Sequence, residues 1–123
     1  MKFYKCNHCG NIITKIIDKN VPVVCCGEAM KELIPNSMEA AIEKHKPVVA
    51  IDGDHVTIQV GSVEHPMTSE HYIEFVAVEF NDRNGIINLK PGDKPIVQLQ
   101  LKPGQKINKV YAYCNLHGLW MDR

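Results

Sequence analysis

After Pro47 the chain consists of short runs of β-branched and aromatic residues, and several of these runs alternate apolar with polar positions. In the segment 97–101, the apolar residues Val97, Leu99 and Leu101 are separated by two glutamines. Alternation with a period of two is typical of a β-strand that buries one face. The hydrophobic pattern therefore predicts strands rather than helices for most of the chain.

Six such runs are separated by turn-forming sequences rich in Gly, Pro, Asn and Asp, such as "DGD", "NDRNG" and "KPGD". Those residues favour turns because they adopt or preset the backbone angles that turns require. The predicted strands cover residues 48–52, 55–60, 71–80, 85–90, 95–101 and 106–114. Six or seven short strands at this spacing favour an antiparallel β-sandwich of the immunoglobulin-like kind. The fold class is therefore predicted to be mainly β.

The first part of the chain has a different pattern, because four of the five cysteines lie within the first 26 residues. Roughly 35 residues cannot bury enough apolar surface to fold alone, and a bound metal would supply the missing stability. We therefore predict a small metal-knuckle domain over residues 1–36 and a β-sandwich domain over residues 37–123. At their junction, Ser37 is expected to cap a short helical turn over residues 38–44.

The N-terminal cysteines form two pairs with the spacing of a metal site. Cys6 and Cys9 make a Cys-x2-Cys motif, and the adjacent residues Cys25 and Cys26 follow after 15 intervening residues. Each pair is directly followed by Gly, which tolerates the positive φ of a turn around a metal. A tetrahedral site of four thiolates suits both zinc and iron. A zinc ribbon normally repeats Cys-x2-Cys, so the adjacent second pair weakens the case for structural zinc and leaves both metals open.

Charge and composition argue against several classes of function. The formal net charge is zero and the pI is about 7.0, so no basic excess is available for general nucleic-acid binding. No apolar run approaches the ~18 residues that span a membrane, and the N-terminus lacks the apolar core of a signal peptide. The odd number of cysteines, five, argues against a disulfide framework. We therefore expect a soluble cytoplasmic protein whose clustered thiols bind metal.

Histidines at loops and strand ends form a second candidate site. His45, His65 and His71 lie near the ends of predicted strands, and Cys114 and His117 form a Cys-x2-His turn. One edge of a sandwich could gather these residues into a single cluster. A thiolate combined with several imidazoles suits iron, copper or zinc.

The stretch "AIEKHKPVV", residues 41–49, places Glu43 and Lys44 directly before His45. Taken alone, such a charge-dense patch is typical of a solvated turn. Its meaning depends on whether the other histidines and Cys114 lie nearby.

These motifs together resemble the desulfoferrodoxin family, the two-iron form of superoxide reductase, over nearly the whole chain. The stretches "YKCNHCGN" and "VVCCGEAMK" are similar to its desulforedoxin-like domain, which is of the rubredoxin type. The stretches "EKHKPVV", "GSVEHPM", "EHYIEF" and "YCNLHGLW" are similar to its neelaredoxin-like domain. Four cysteines at this spacing, followed in order by three histidines and Cys-x2-His, form a specific set of motifs.

The resemblance implies two iron ions per chain, Fe(Cys)4 and Fe(His)4(Cys). The residues that match the first set of ligands are Cys6, Cys9, Cys25 and Cys26. The residues that match the second set, four equatorial imidazoles and one axial thiolate, are His45, His65, His71, His117 and Cys114. His8 and His55 match no ligand and are expected to be ordinary exposed histidines, whereas Trp120 and Tyr72 are expected to pack beside the second site.

The implied activity is the one-electron reduction of superoxide to hydrogen peroxide at a ferrous iron with an open sixth position, which protects against oxidative stress. Glu43 matches the carboxylate that can close on the ferric ion, and Lys44 matches the cation that attracts the incoming anion. The charged stretch would then be an active-site lid. The family also implies rubredoxin as the electron donor and a homodimer.

Two other functions stay open from the residues alone. One is a non-catalytic iron protein that only transfers electrons, which the open sixth position and the charged lid argue against. The other is a zinc-ribbon interaction module fused to a β-sandwich, which metal content and visible absorption would distinguish.

Overall fold

The computed structural model describes residues 1–122 of the 123-residue chain and is mainly β, as predicted. Its backbone contacts divide it into two compact units, Met1–Ile34 and a second unit that begins at Pro35. The domain boundary predicted from the sequence lies two residues later, after Asn36. Within the described residues, no helix has both the length and the apolar character needed to cross a membrane.

The first unit contains two small antiparallel sheets. A three-stranded sheet in the order β2-β1-β5 consists of β1 (Phe3–Lys5), β2 (Ile12–Thr14) and β5 (Lys31–Glu32). A two-stranded hairpin consists of β3 (Val24–Cys25) and β4 (Glu28–Ala29). In this unit the buried apolar residues are Phe3 and Cys6, so the hydrophobic core is very small.

The second unit is an antiparallel sandwich of two sheets, preceded by a single helical turn, α1 (Ile42–His45). One sheet has the order β10-β7-β6 and contains β6 (Pro47–Asp52), β7 (His55–Val60) and β10 (Ile96–Gln100). The other has the order β12-β11-β8-β9 and contains β8 (Ile73–Phe80), β9 (Asn84–Asn88), β11 (Ile107–Cys114) and β12 (Gly118–Met121).

The core of the sandwich follows directly from the alternating pattern of the strands. Val56, Ile58 and Val60 occupy every second position of β7 and are fully buried. They form one cluster with buried residues of the other sheet, among them Val76 of β8 and Val110 of β11. Burying a side chain of this size stabilises the fold by about 1.5–3 kcal/mol. The second unit therefore has a hydrophobic core that the first unit lacks.

All six predicted runs form strands, with ends displaced by at most two residues. His71 precedes β8 instead of opening it, because its backbone N–H and C=O both bond with the backbone of Thr68 in a turn. Strand β12 was not predicted. It has only four residues and directly follows the Cys-x2-His motif.

The prediction that Ser37 caps a helical turn was wrong. The helical turn begins at Ile42, with Ala41 at the N-cap position and no side-chain hydrogen bond to the cap. The preceding segment is instead tied to β12, because the Met121 N–H donates to the Asn36 side-chain oxygen at 2.9 Å. A long-range contact therefore overrides the local capping preference.

Gly61 sets the position of α1 against the loop that follows β7. Its N–H donates to the Lys46 carbonyl at 3.1 Å, and the Val63 N–H donates to the Glu43 carbonyl at 2.8 Å. Gly61 has a φ of +82°, and a Cβ atom added there would collide with the Val63 oxygen and lie 2.7 Å from the Glu43 oxygen. The close approach of these two segments therefore requires glycine.

We predict that Gly61→Ala lowers the free energy of unfolding by about 2–4 kcal/mol, because backbone strain adds to the collision with two carbonyl oxygens. Gly53→Ala is the matched control, since Gly53 also has a positive φ, +63°, but has no atom within 4 Å of an added Cβ. We expect the control to lose about 1 kcal/mol. Guanidinium denaturation of the metal-loaded protein measures both values, and equal losses would show that the close contact does not matter.

Candidate metal centres

The four N-terminal cysteines converge on one point. Their sulfur atoms all lie within 4.8 Å of one another, and Cys9 Sγ is 3.6 Å from Cys25 Sγ. All four thiols are free. In a tetrahedron with metal–sulfur bonds of about 2.3 Å, the sulfur atoms are about 3.8 Å apart. The donor set therefore fits a tetrahedral metal ion.

The first pair of cysteines lies in a tight turn that directs backbone N–H groups at sulfur. The His8 and Cys9 N–H groups donate to Cys6 Sγ at 3.4 and 3.5 Å. These bonds, that of Cys9 above all, lower the pKa of the Cys6 thiol to about 6. The Gly10 N–H closes the turn on the Cys6 carbonyl, and Gly10 has the positive φ that was predicted, +84°.

The second pair lies in a two-residue hairpin turn instead of a second knuckle. Cys25 ends β3 and pairs with Glu28 of β4, so Cys26 and Gly27 form the turn, with φ values of +54° and +76°. Two consecutive positive φ values are typical of the type I′ turn that joins tightly paired strands. Adjacent cysteines can therefore serve one site, because one ends the strand and the other occupies the turn.

Hydrogen bonds among the four thiols shift pKa values within this set. Hydrogen bonds with the Cys6 and Cys9 side chains raise the pKa of Cys25 to about 12. A metal ion would replace these shared protons. His8 lies outside this set, because it is exposed and its ring bonds to the Glu28 carboxylate at 2.7 Å, as expected for a histidine that is not a ligand.

In the second unit, four imidazole rings form a closed square. Neighbouring ring centres are 4.6 Å apart for His45 and His65, 4.7 Å for His65 and His71, 5.1 Å for His71 and His117, and 4.8 Å for His117 and His45. Each neighbouring pair meets edge to face, whereas the planes of the opposite rings of His45 and His71 are inclined by 30° and their centres are 6.2 Å apart. This arrangement of imidazoles suits a shared metal ion.

The fifth predicted ligand, Cys114, joins this square. Donor atoms of His45, His65, His71 and Cys114 all lie within 4.8 Å of one another. His117 is outside that mutually close set, but its Nδ1 lies 3.1 Å from His45 Nε2 and 3.9 Å from Cys114 Sγ. The structure thus brings all five predicted ligands together. Of these, His45 ends α1, Cys114 ends β11 and His117 lies in the loop between β11 and β12.

Hydrogen bonds fix which ring nitrogen of two histidines faces the centre. His45 Nδ1 bonds to the Ala41 carbonyl at 2.8 Å and His65 Nδ1 to the Pro66 carbonyl at 2.7 Å. A carbonyl only accepts, so Nδ1 carries the proton in both rings and each Nε2 presents a lone pair. The two Nε2 atoms are only 3.1 Å apart. Lone pairs at this distance repel unless a cation lies between them.

Burial keeps these imidazoles neutral and therefore able to bind a metal. It lowers the pKa of His45, and it lowers the pKa of His65 to about 4. His71 has its pKa lowered in the same way, with smaller contributions from His117 and Lys44. Its Nε2 is buried without a hydrogen-bond partner in the described part of the chain. Buried polar atoms are rarely left unpaired, so this nitrogen also fits a metal ligand.

Cys114 and His117 come from one short hairpin loop between β11 and β12. Cys114 pairs with Gly118 across the hairpin, and Gly118 has a φ of +80°. Cys114 is fully buried, and burial raises the pKa of its thiol. The Leu116 and His117 N–H groups oppose that effect. They would stabilise the thiolate that a metal requires.

The charged residues before His45 lie at the surface in α1. Glu43 and Lys44 are both exposed. Lys44 is close enough to His71 to lower its pKa, whereas Glu43 lines a surface groove of about 540 Å³ together with Lys46 and other residues. The structure therefore brings the Lys44 charge near the centre and does not include the Glu43 carboxylate among the converging donors.

Trp120 forms one wall of the centre, as its place in the sequence led us to expect. Its ring stacks on His45 at 5.1 Å, and its Nε1–H donates to the His117 carbonyl at 3.0 Å. His55, by contrast, is exposed at the start of β7. The carbonyls of Ala41 and Pro66, which orient two ligands, carry no signal in the sequence because every residue has a carbonyl.

Comparisons with known proteins agree with these two donor sets. A family model described as Desulfoferrodoxin matches residues 37–123. The desulfoferrodoxin of Syntrophotalea carbinolica is 42% identical over 120 residues, which are 98% of this chain and 94% of that protein. The crystal structure of the superoxide reductase from Treponema pallidum matches with a TM-score of 0.82 and 31% identity, over 99% of this chain and 98% of that one. The similarity to these two proteins therefore runs through both units.

A smaller solved protein matches only part of the chain. This superoxide reductase (1Fe-SOR) from Giardia intestinalis is 33% identical, with a TM-score of 0.54 over 64% of this chain and 94% of that chain.

We predict that the purified protein binds about two iron ions per chain, and that exchanging both Cys9 and Cys25 for serine removes one of them. The reason is that the two donor sets share no residue. Iron analysis and visible spectra measure the result, and a variant with His45→Ala and His65→Ala is the reciprocal control. If the cysteine variant lost both ions while its sandwich stayed folded, the assignment of two independent centres would be wrong.

Proposed function

The chain belongs to the desulfoferrodoxin family, and on that premise we propose that it is a superoxide reductase that protects against oxidative stress. In this proposal it reduces superoxide by one electron to hydrogen peroxide. The observation that carries the proposal is the cluster of four imidazoles and one buried thiol in the second unit. Similarity to solved superoxide reductases over this region also supports it.

We assign one iron ion to each donor set. The ligands proposed for the first iron are Cys6, Cys9, Cys25 and Cys26. The ligands proposed for the second iron are His45, His65, His71, His117 and Cys114. Iron bound by these five donors would supply the electron for the reaction, and the Cys114 thiolate would add electron density to the metal.

Lys44 is the residue that we propose attracts and protonates the substrate. Superoxide has no shape to recognise, so its recognition must be electrostatic, and a local cation matters in a chain of zero net charge. The Lys44 ammonium is exposed and acts on His71 of the cluster. The reaction consumes one electron and two protons for each superoxide, and Lys44 can deliver a proton directly or through water.

Glu43 is proposed to help release the product. Its carboxylate is on the same helical turn as Lys44 and His45, and that turn is held to the loop after β7 by the hydrogen bonds around Gly61. In the structure Glu43 lines the neighbouring groove. A carboxylate that can exchange between this groove and the centre would displace hydrogen peroxide and restore the resting state.

The surrounding residues orient the donor atoms and limit their contact with water. The carbonyls of Ala41 and Pro66 hold His45 and His65 in the tautomer that presents Nε2. Trp120 covers one face of His45. Such groups around a metal site usually fix the ligand rings and limit access of water.

The first unit is proposed to transfer electrons. Cys9 and Cys26 are exposed, so a partner protein could approach the four-cysteine centre closely. We further propose a rubredoxin as the donor, a homodimer as the assembly and the cytoplasm as the location, as the family resemblance implies.

A non-catalytic electron carrier is the alternative, and the stoichiometry of the reaction separates it from a reductase. Reduced protein is mixed anaerobically with a known amount of superoxide, and hydrogen peroxide and dioxygen are both counted. A reductase converts each superoxide into hydrogen peroxide without forming dioxygen, whereas dismutation forms hydrogen peroxide and dioxygen in equal amounts. If the protein reacted with superoxide no faster than the uncatalysed background, the result would favour the electron carrier.

We predict that Cys114→Ser keeps the sandwich fold but loses the sulfur-to-iron charge-transfer band and nearly all activity with superoxide. Serine replaces the sulfur with a smaller oxygen, and its hydroxyl is a far weaker donor than a thiolate. Visible spectroscopy and superoxide kinetics measure the result, and the spectrum of the four-cysteine centre serves as the internal control. Undiminished turnover would remove Cys114 from the proposed mechanism.

We predict that Lys44→Ala lowers the second-order rate constant for superoxide by about tenfold and weakens its dependence on salt. Two unit charges about 6 Å apart interact by roughly 2–3 kcal/mol at an effective dielectric of about 20, and solvent screening reduces that value. Pulse radiolysis at low and high ionic strength measures the rate.

Glu43→Ala is the matched control, because it removes a charge from the same helical turn. We expect it to leave the encounter rate nearly unchanged and to alter the spectrum of the oxidised protein. If Lys44→Ala reacted at the wild-type rate at low salt, the proposed steering role of Lys44 would be wrong.

A further inference from the structure

Asn115 lies between Cys114 and His117 and clamps the segment that carries His71. Its side-chain nitrogen donates to the Glu70 carbonyl at 3.0 Å, and its side-chain oxygen accepts from the Tyr72 N–H at 3.0 Å. Its backbone N–H also donates to the Tyr72 carbonyl, at 3.2 Å. One residue of the β11–β12 loop therefore holds the backbone on both sides of His71.

His71 needs such a clamp because its ring has no anchor of its own. The rings of His45 and His65 are each fixed by a hydrogen bond from Nδ1 to a carbonyl. Among the described residues, no carbonyl accepts a hydrogen bond from the His71 ring, and its Nε2 is buried and unpaired. The position of this imidazole therefore depends on how firmly its backbone is held.

We propose that Asn115 is a positioning residue that fixes His71 relative to Cys114 and thereby completes the metal-binding square. The inference rests on the proposed iron site in the second unit. Asn115 does not touch the ion in this proposal and acts only through the backbone of His71. Its hydrogen bonds join two segments that are more than 40 residues apart in sequence.

The same hydrogen-bond pattern occurs once more in the second unit, away from the cluster. The Asn81 side chain donates to the Gly104 carbonyl and accepts from the Lys106 N–H, both at 3.0 Å, and its own N–H donates to the Lys106 carbonyl at 3.0 Å. This second clamp encloses Gln105, which is not part of either donor set. It provides a control with the same chemistry and the same number of hydrogen bonds.

The experiment compares Asn115→Ala with Asn81→Ala in the full-length, iron-loaded protein. Loss of a group that orients a metal ligand typically lowers metal affinity by about 10–100-fold. We therefore expect Asn115→Ala to lower the iron affinity of the second centre by about that factor in a chelator competition. We also expect its charge-transfer band to shift, while the four-cysteine spectrum of the same molecule stays unchanged. Asn81→Ala should leave both spectra and both affinities as in the wild type.

Thermal unfolding and amide hydrogen exchange separate positioning from general stability. Both variants should lose similar stability, because each loses two side-chain hydrogen bonds. Only Asn115→Ala should speed exchange of the Tyr72 amide and perturb the second centre. Equal effects of the two variants on the second centre, or no effect of Asn115→Ala on it, would overturn the proposal.

Asn115→Asp provides a second test in case the alanine variant does not fold. Aspartate can still accept from the Tyr72 N–H but cannot donate to the Glu70 carbonyl, so we expect the iron affinity of the second centre to fall below that of the wild type. Wild-type affinity and spectrum in this variant would overturn the role of the Glu70 bond. A wild-type protein without iron in the second centre would instead refute the proposed function, so the two failures are distinguishable.

Discussion

The second unit depends on the repulsion between donor atoms that its fold forces together. The Nε2 atoms of His45 and His65 face each other at 3.1 Å, and neither can donate because both rings carry their proton on Nδ1. Burying polar atoms without partners is unfavourable. The sandwich core provides the stability that keeps these atoms in place. A bound cation would attract both lone pairs and thereby offset their mutual repulsion.

The two units differ in what holds their donor atoms in place. In the second unit, a core of valines and isoleucines from both sheets exists apart from the metal ligands. In the first unit, the buried apolar residues are few, and one of them, Cys6, is itself a proposed ligand. Metal is therefore expected to stabilise the fold of the first unit, in addition to the electron transfer proposed there, whereas the second unit has a core that does not depend on its metal ligands.

The hydrophobic pattern was sufficient to predict six of the seven strands of the sandwich, because a period of two identifies half-buried strands without any tertiary information. The ligand sets were identified from motif spacing and from resemblance to a family. The alternation could not reveal β12, since its four residues continue a ligand motif. Nor could it reveal the roles of Ala41, Pro66 and Asn115, because these depend on hydrogen bonds between segments that meet only in the folded chain.

The hairpin that carries Cys114 and His117 has a consequence for how the metal is acquired and kept. In the proposed iron centre, these two donors would form a chelate ring on a loop closed by paired strands, with little conformational freedom to lose. If one of the two bonds to the ion breaks, the other keeps the ion within a few ångströms, so rebinding is faster than escape. In the proposed centre, this loop would therefore hold an ion more firmly than two donors from separate segments would.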